Sequence, residues 1–232
     1  CIWFHMVPKM DGLDEAETGR TGTTNGAAMR IAPVGIAFDI TPVEDFVDQV
    51  ELACRLTHNT GEAIAAAAAV AAVISCGLTG CTFDAAVPVA LEAASSGQRR
   101  GHAVGAADVR ARIESALSTV ERGGGVDAIA ERVGTSVASY ESVAAAFALV
   151  ALAAGDPWRA ALLSANSGDD TDTMGAIAGA MAGACSGSSA FPERALDTIQ
   201  SVNTLNLPAV ARDLVRLRES SGALRDLSGV ER

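Results

Sequence analysis

The sequence predicts an all-α protein that folds as a compact bundle of many helices. Hydrophobic residues make up 49% of the chain but aromatic residues only 4%, so the apolar mass is mostly alanine, valine and leucine. Alanine is the best helix former and is depleted in strands. No run of four or more alternating apolar and polar residues competes with the helical periodicity. A length of 232 residues is most simply interpreted as a single domain.

Helical periodicity begins after a loop-like N-terminal stretch rich in glycine and threonine. A short helix is predicted over residues 27–38. A longer one is predicted from Pro42 or Val43 to Leu56, where Thr41 and Glu44 would form a capping box with Pro42 at the first helical position. Residues 61–74 are almost all alanine, valine and isoleucine, and this composition predicts a helix buried in the core.

The rest of the chain contains two clear helix signals and several apolar runs. Residues 107–122 carry charges on one face and apolar side chains on the other, as a surface helix does. Asp156 followed by Pro157 is a typical helix start. The helices predicted here cover residues 82–95, 107–122, 126–133, 140–155, 158–165, 173–185, 193–203 and 207–219.

One predicted helix carries a stripe of glycines, because Gly175, Gly179, Gly183 and Gly187 recur every four residues. Glycine in a helix costs about 1 kcal/mol relative to alanine. A stripe of this kind lets a second helix approach at backbone distance. We therefore expect Gly179 and Gly183 to face a neighbouring helix.

Charge and cysteine content restrict the partners and the compartment. The formal net charge is -11, from 17 basic and 28 acidic residues, so nucleic acid is an unfavourable partner. The longest uncharged run, 63–83, is interrupted by serine, threonine and glycine, and no membrane crossing is predicted. The five cysteines include no C-x-x-C pair, which favours reduced thiols. We expect a cytoplasmic protein, and a monomer.

The densest polar cluster is the segment 168–173, directly before an apolar helix. It contains Asp170, Asp172 and the hydroxyl of Thr173. Carboxylates this close repel one another unless a cation neutralises them, and oxygen-only ligation suits Mg²⁺, Mn²⁺ or Ca²⁺. The alternative is that these aspartates only cap the helix, since aspartate favours helix N-termini. The spacing alone leaves both interpretations open.

Two segments resemble the ADP-ribosylglycohydrolase family, which includes dinitrogenase reductase-activating glycohydrolase and the crystallin J1 proteins. The run Asn-Ser-Gly-Asp-Asp-Thr-Asp-Thr at 166–173, with its small-residue helix, is similar to the family's C-terminal metal motif. The run Thr-Thr-Asn-Gly-Ala-Ala-Met-Arg at 23–30 is similar to its central segment, and Thr57 with His58 follows in similar order. The resemblance covers about residues 21–192 and implies an orthogonal all-α bundle.

The resemblance implies a metal-dependent hydrolase that cleaves the glycosidic bond of an ADP-ribosyl or related ribosyl substrate. Its cofactors would be two Mg²⁺ or Mn²⁺ ions, and its partners an ADP-ribosylated protein or a small ribosyl substrate. Asp169 stands where the family usually has glycine, so we expect a capping or supporting role and no metal ligation. The implied residues are Asp170, Asp172 and Thr173 for the metal, Asp170 and Asp172 for catalysis, and Thr23, Thr24, Asn25 and His58 for substrate.

One departure from the family pattern limits the functional expectation. Family members carry a Thr-Asp-Asp-Thr-like motif well before the central segment, and nothing upstream of Thr21 matches it. Asp11, Asp14, Glu15 and Glu17 form an acidic run that we expect to be solvated surface. We therefore expect a single domain, 1–232, that lacks the family's N-terminal segment and holds half of a dinuclear site. The alternative is a catalytically incomplete protein that binds ADP-ribose or has a crystallin-like structural role.

Overall fold

The structure, a computed structural model, describes residues 18–105 and 107–228. Within these residues the chain forms eleven α-helices and two 3₁₀ turns, Ala28–Arg30 and Ser188–Ala190, and its β contacts are isolated bridges. The prediction of an all-α bundle is confirmed. The helices are α1 (Ala32–Ala37), α2 (Val43–Cys54), α3 (Gly61–Leu78), α4 (Phe83–Gln98), α5 (Val109–Glu121), α6 (Val126–Arg132), α7 (Ser139–Leu152), α8 (Pro157–Ala165), α9 (Thr171–Ser186), α10 (Glu193–Asn203) and α11 (Leu207–Ser228).

Helix α3 is the centre of the molecule. Every residue from Gly61 to Gly77 is buried, and α1, α2, α4, α7 and α9 pack around it. Alanine side chains allow this close packing, and a β-carbon on Gly97 of α4 would lie 2.8 Å from the Cα of Ala65. Among the described residues, α3 is the one helix long and apolar enough to span a membrane, yet it is 94% buried inside the protein. It is the core helix that the sequence predicts.

Four helix starts use the capping chemistry that the sequence offers. The side chains of Thr60, Thr82, Asp108 and Asp156 each accept a hydrogen bond from the backbone N–H three residues later. These bonds satisfy donors that the first helical turn leaves free. The helix start predicted at Asp156 is therefore confirmed.

The capping box predicted at Thr41 is wrong. Helix α2 begins at Val43, and its N-cap residue, Pro42, provides no side-chain cap. The peptide bond between Thr41 and Pro42 is cis. The Glu44 carboxylate accepts hydrogen bonds from Ser96 and from the Arg99 and Arg100 guanidinium groups. The two guanidinium groups that follow α4 are better partners for this carboxylate than a backbone N–H, and the local sequence pattern does not reveal them.

The glycine stripe of α9 does not have the predicted packing role. A β-carbon on Gly179 would meet nothing within 4 Å, and one on Gly183 would meet only the Phe191 ring. The opposite face of α9, which includes Ile177 and Met181, is the buried one. The close backbone approach to α9 comes instead from Gly77 of α3. The Met and Ile side chains on the other face of α9 fill the core, so the glycine stripe lies away from it.

Candidate active site

The loop between α6 and α7, residues 133–138, holds residues 23–25, the predicted substrate segment, in place. The backbone N–H of Asn25 donates to the Val137 carbonyl at 2.9 Å, and the N–H of Ser139 donates to the Thr23 carbonyl at 3.1 Å. These bonds flank an antiparallel bridge between the two chain segments. The substrate segment is thus fixed at the N-terminal end of α7.

The same loop also binds residues 170–173, the predicted metal segment. The backbone N–H of Asp170 donates to the Thr135 carbonyl at 3.1 Å. The buried Asn25 amide donates one hydrogen bond to Ser142 at 2.9 Å and another to the Asp170 carboxylate. Asn25 and Asp170 are 145 residues apart in the chain, and their contact joins the two segments that carry the family resemblance.

The aspartates at the start of α9 differ in their surroundings. Asp170 occupies the N-cap position, but its side chain makes no capping hydrogen bond and contacts Asn25 instead. Asp172 is exposed in the first turn, whereas Thr173 is buried. Asp169 is exposed with a left-handed backbone (φ +59°) and does not cap α9. The capping interpretation of Asp170 is therefore not what the geometry shows.

The donor set at α9 is the right chemistry for a hard divalent ion, but it is partial. Asp170, Asp172 and Thr173 offer two carboxylates and one hydroxyl, all oxygen donors. Within the described residues, no group of three or more His, Cys, Asp or Glu side chains could hold a metal ion. Asp11, Asp14, Glu15 and Glu17 lie outside the described residues. The residues present would supply only part of the ligand set of such an ion.

His58 lies beside the substrate segment, between two threonine hydroxyls. Its Nε2 is 2.8 Å from Thr24 Oγ1 and its Nδ1 is 2.8 Å from Thr57 Oγ1. Burial and the positive charge of Arg30 lower the pKa of His58 to about 4, so the ring is neutral at pH 7. A side chain on Gly26 would collide with the ring at 2.8 Å. Arg30 donates to Thr57 Oγ1 at 2.5 Å and has a supporting position.

A cavity of about 550 Å³ adjoins the substrate segment on the side of Thr23. Glu62 of α3 lines it, although the residue is only 3% exposed and was not among the site residues predicted from the sequence. The available signal was that Glu62 is the one charged residue in the sequence of α3. The remaining lining residues are Val104, Gly105, Ala107, Arg112 and Tyr140.

The predicted site residues thus divide into two groups. Thr24 with His58, and Asn25 with Asp170, are in direct contact. Asp172 and Thr173 share the first turn of α9 but have no hydrogen bond to the substrate segment. Sequence reasoning missed Ser142, which anchors Asn25, and the backbone carbonyls of the loop 133–138.

Comparison with known proteins gives one family. Residues 5–223 match the sequence profile of the ADP-ribosylglycohydrolase family. The chain is 37% identical over 218 residues to the uncharacterized protein YegU of Escherichia coli (strain K12), covering 92% of this chain and 65% of YegU. It is 31% identical over 194 residues to an uncharacterized protein of Archaeoglobus fulgidus, covering 82% of this chain and 58% of that protein.

A solved structure shows the same fold. The structure of an ADP-ribosylglycohydrolase-related protein complex aligns with a TM-score of 0.62 and 26% sequence identity, covering 90% of this chain and 65% of that chain. The present chain spans less than two thirds of the length of each of these relatives.

Proposed function

Because the chain belongs to the ADP-ribosylglycohydrolase family, we propose that it acts in hydrolysis of the glycosidic bond of an ADP-ribosyl or related ribosyl substrate. Two Mg²⁺ or Mn²⁺ ions would be the cofactors. The substrate would be an ADP-ribosylated protein or a small ribosyl compound, met in the cytoplasm.

One observation carries the proposal: the Asp170 carboxylate is held by Asn25 and is not used as a helix cap. A capping aspartate bonds the N–H groups of its own helix. Asp170 instead turns toward the segment that is predicted to bind substrate, where it retains free lone pairs. A carboxylate fixed by a buried amide beside a substrate segment is typical of a ligand-binding site.

The chain's own residues have distinct tasks in this proposal. Asp170, Asp172 and Thr173 would hold the metal, which when bound supplies Lewis-acid polarisation and a more acidic water. Asn25 positions the Asp170 carboxylate through its amide. His58, neutral at pH 7 and hydrogen-bonded to threonine hydroxyls at both ring nitrogens, would orient Thr24 beside the substrate without adding a charge.

A second candidate function follows from the partial donor set. The described residues do not provide a cluster of three ligands, and such a site favours weak metal binding. In that case the protein would bind ADP-ribose through Thr24, Asn25 and His58 without turning it over. Binding without turnover is the alternative to hydrolysis.

The test measures release of ADP-ribose from a modified protein, and of ribose from a small ribosyl substrate, with Mg²⁺ or Mn²⁺ and with chelator. Isothermal titration with ADP-ribose runs in parallel. We expect metal-dependent release that Asp172→Asn abolishes and the matched neighbour Asp169→Asn retains. Binding with no release supports the second candidate. Release that is equal in chelator, or equally lost in Asp169→Asn, would contradict the metal assignment.

A further inference from the structure

The cavity beside Thr23 and the side chain of His58 contact different residues of the substrate segment. Thr24 presents its hydroxyl to His58, whereas the preceding Thr23 lines the cavity. The cavity therefore adjoins the substrate segment at Thr23, and His58 is not among its lining residues. Its volume of about 550 Å³ falls in the range of small-molecule sites, roughly 300–1,000 Å³.

Glu62 contributes a buried carboxyl group to the cavity wall. Its residue exposure is 3%, and burial raises its pKa, an effect that the neighbouring Ser139 hydroxyl partly offsets. A β-carbon on Gly105, where φ is +79°, would lie 2.9 Å from Glu62 Oε2. Glycine at this position thus leaves the carboxyl oxygen room at the cavity wall. Ser139 Oγ is itself buried without a hydrogen bond of normal geometry.

Arg112 also lines the cavity and is held there by two contacts. Its guanidinium carbon lies 5.3 Å from the centroid of the Tyr140 ring, and one terminal nitrogen donates to the Val133 carbonyl. The Nε–H is buried and has no hydrogen-bond partner. The guanidinium group therefore brings a fixed positive charge and N–H donors to the residues that line the cavity.

We propose that this cavity is a subsite for a neutral, planar nitrogen heterocycle, with Glu62 accepting from an N–H group and Arg112 donating to a ring nitrogen or carbonyl oxygen. The lining chemistry favours this class over charged groups. A phosphate would meet the Glu62 carboxyl, and a cation would meet the Arg112 guanidinium. A heterocycle with both a donor and an acceptor satisfies both groups, and Tyr140 and Val104 supply apolar contact.

The inference rests on the proposed function in one respect, that the heterocycle belongs to a ribosyl substrate. Two sources offer the same chemistry. The heterocycle is either the base at the nucleotide end of the substrate or the leaving group of a ribosyl–base bond. The experiment below separates the two sources.

Tyr140 makes the subsite directly observable, because it is the single tyrosine of the chain. Incorporation of 3-fluorotyrosine places one ¹⁹F reporter in the cavity wall. We expect adenosine to shift this resonance saturably and free ribose to leave it unchanged. A resonance unmoved by adenosine at millimolar concentration would overturn the proposal.

Two changes test the Glu62 contact, one in the ligand and one in the protein. N6,N6-dimethyladenosine lacks the N–H donors, so it should bind wild type about tenfold to a hundredfold more weakly than adenosine. Glu62→Met, which replaces the buried acid by an apolar side chain of similar length, should bind both nucleosides equally and weakly. The matched control Glu121→Met lies at a different cavity and should retain wild-type affinities.

Equal affinity of wild type for both nucleosides would overturn the Glu62 assignment even if Glu62→Met failed to fold. Competition then identifies the source. Saturating ADP-ribose displaces adenosine if the cavity takes the nucleotide's own base, and leaves adenosine bound if it takes the leaving group. Absence of hydrolysis in the assay above would remove the proposed function and leave the ¹⁹F result standing. Conversely, Glu62-independent binding would remove the subsite and leave hydrolysis untouched.

Discussion

At the scale of single residues, His58 shows how the fold sets a protonation state. Thr24 and Thr57 each lie 2.8 Å from one ring nitrogen. Each threonine hydroxyl can donate or accept, so together they complement the neutral imidazole. A second proton would add a buried charge close to Arg30. Burial and this charge together lower the pKa of His58 to about 4.

The lowered pKa makes His58 a source of acid sensitivity. Between its folded-state pKa of about 4 and the ordinary value of 6.5, the unfolded chain binds the proton and the folded chain does not. The free energy of unfolding should therefore fall as the pH is lowered through this window. In His58→Gln the fall should be smaller. Urea unfolding of wild type and His58→Gln across the window measures it. Identical slopes in wild type and His58→Gln would contradict this assignment.

Asn25 has a second residue-scale consequence, because its amide faces a carboxylate. Asn25→Ala should destabilise the fold by about 1–3 kcal/mol, since Asp170 and Ser142 lose a buried partner. Asn25→Asp should cost more without metal, because two carboxylates would face each other. Mg²⁺ should restore part of that loss. Thermal unfolding with and without Mg²⁺ measures this, and Asn166→Ala, at an exposed amide, is the control. An Asn25→Asp protein as stable as Asn25→Ala would argue against the contact.

At the scale of elements, Gly77 of α3 and Gly179 of α9 are both helical glycines but have opposite environments. A β-carbon on Gly77 would lie 2.7 Å from both the carbonyl carbon and oxygen of Ala184, where α3 crosses α9. A β-carbon on Gly179 would meet nothing within 4 Å. The crossing therefore depends on Gly77, and the stripe on α9 does not contribute to it.

This difference predicts opposite signs for one substitution. Gly77→Ala should destabilise by about 1–3 kcal/mol, because backbone atoms of α9 must shift to admit the methyl group. Gly179→Ala should stabilise by about 0.5–1 kcal/mol through helix propensity alone. Chemical denaturation of both variants measures the pair. Destabilisation by Gly179→Ala would show that the glycine stripe does pack closely after all.

The elements also show which local signals were sufficient. Capping residues such as Thr60 and Asp156 act on the first turn of their own helix, so sequence predicts them well. The partner of Glu44, Arg100, and the partner of Gly77, Ala184, are brought in by tertiary packing. No local pattern distinguishes those positions, and the predictions at Thr41 and Gly179 failed for that reason.

The candidate site likewise combines features that the sequence reveals with contacts that only the tertiary fold creates. The two segments that carry the family resemblance can be recognised in the sequence because their side chains are characteristic of the family. The loop 133–138 joins them through the backbone carbonyls of Thr135 and Val137, which any residue could supply. Glu62 was visible as a single acid before an apolar run, but its place at a cavity depends on Gly105 and Arg112 from distant segments.

At the scale of the whole molecule, the C-terminal helix α11 is attached to the core by a narrow contact. Leu214 and Arg218 lie on its half-buried stripe, while their neighbours are exposed. Arg218 donates to the carbonyl of Phe38 at 2.6 Å and to Ser75 Oγ at 3.1 Å. Its side chain is 14% exposed and also pairs with Asp39 at 3.5 Å. A cation here complements the negative end of α1.

This attachment predicts a local effect of one substitution. Arg218→Met keeps the aliphatic stem but removes the donors, so docking of α11 should weaken by about 1.5–3 kcal/mol. Hydrogen exchange should accelerate in α11, while amides of α3 and the affinity for ADP-ribose stay as in wild type, because no contact among the described side chains joins Asn25 or His58 to α11. Arg216→Met, an exposed arginine on the same helix, should leave exchange unchanged. Faster exchange across α3 in Arg218→Met would instead mean that α11 supports the core as a whole.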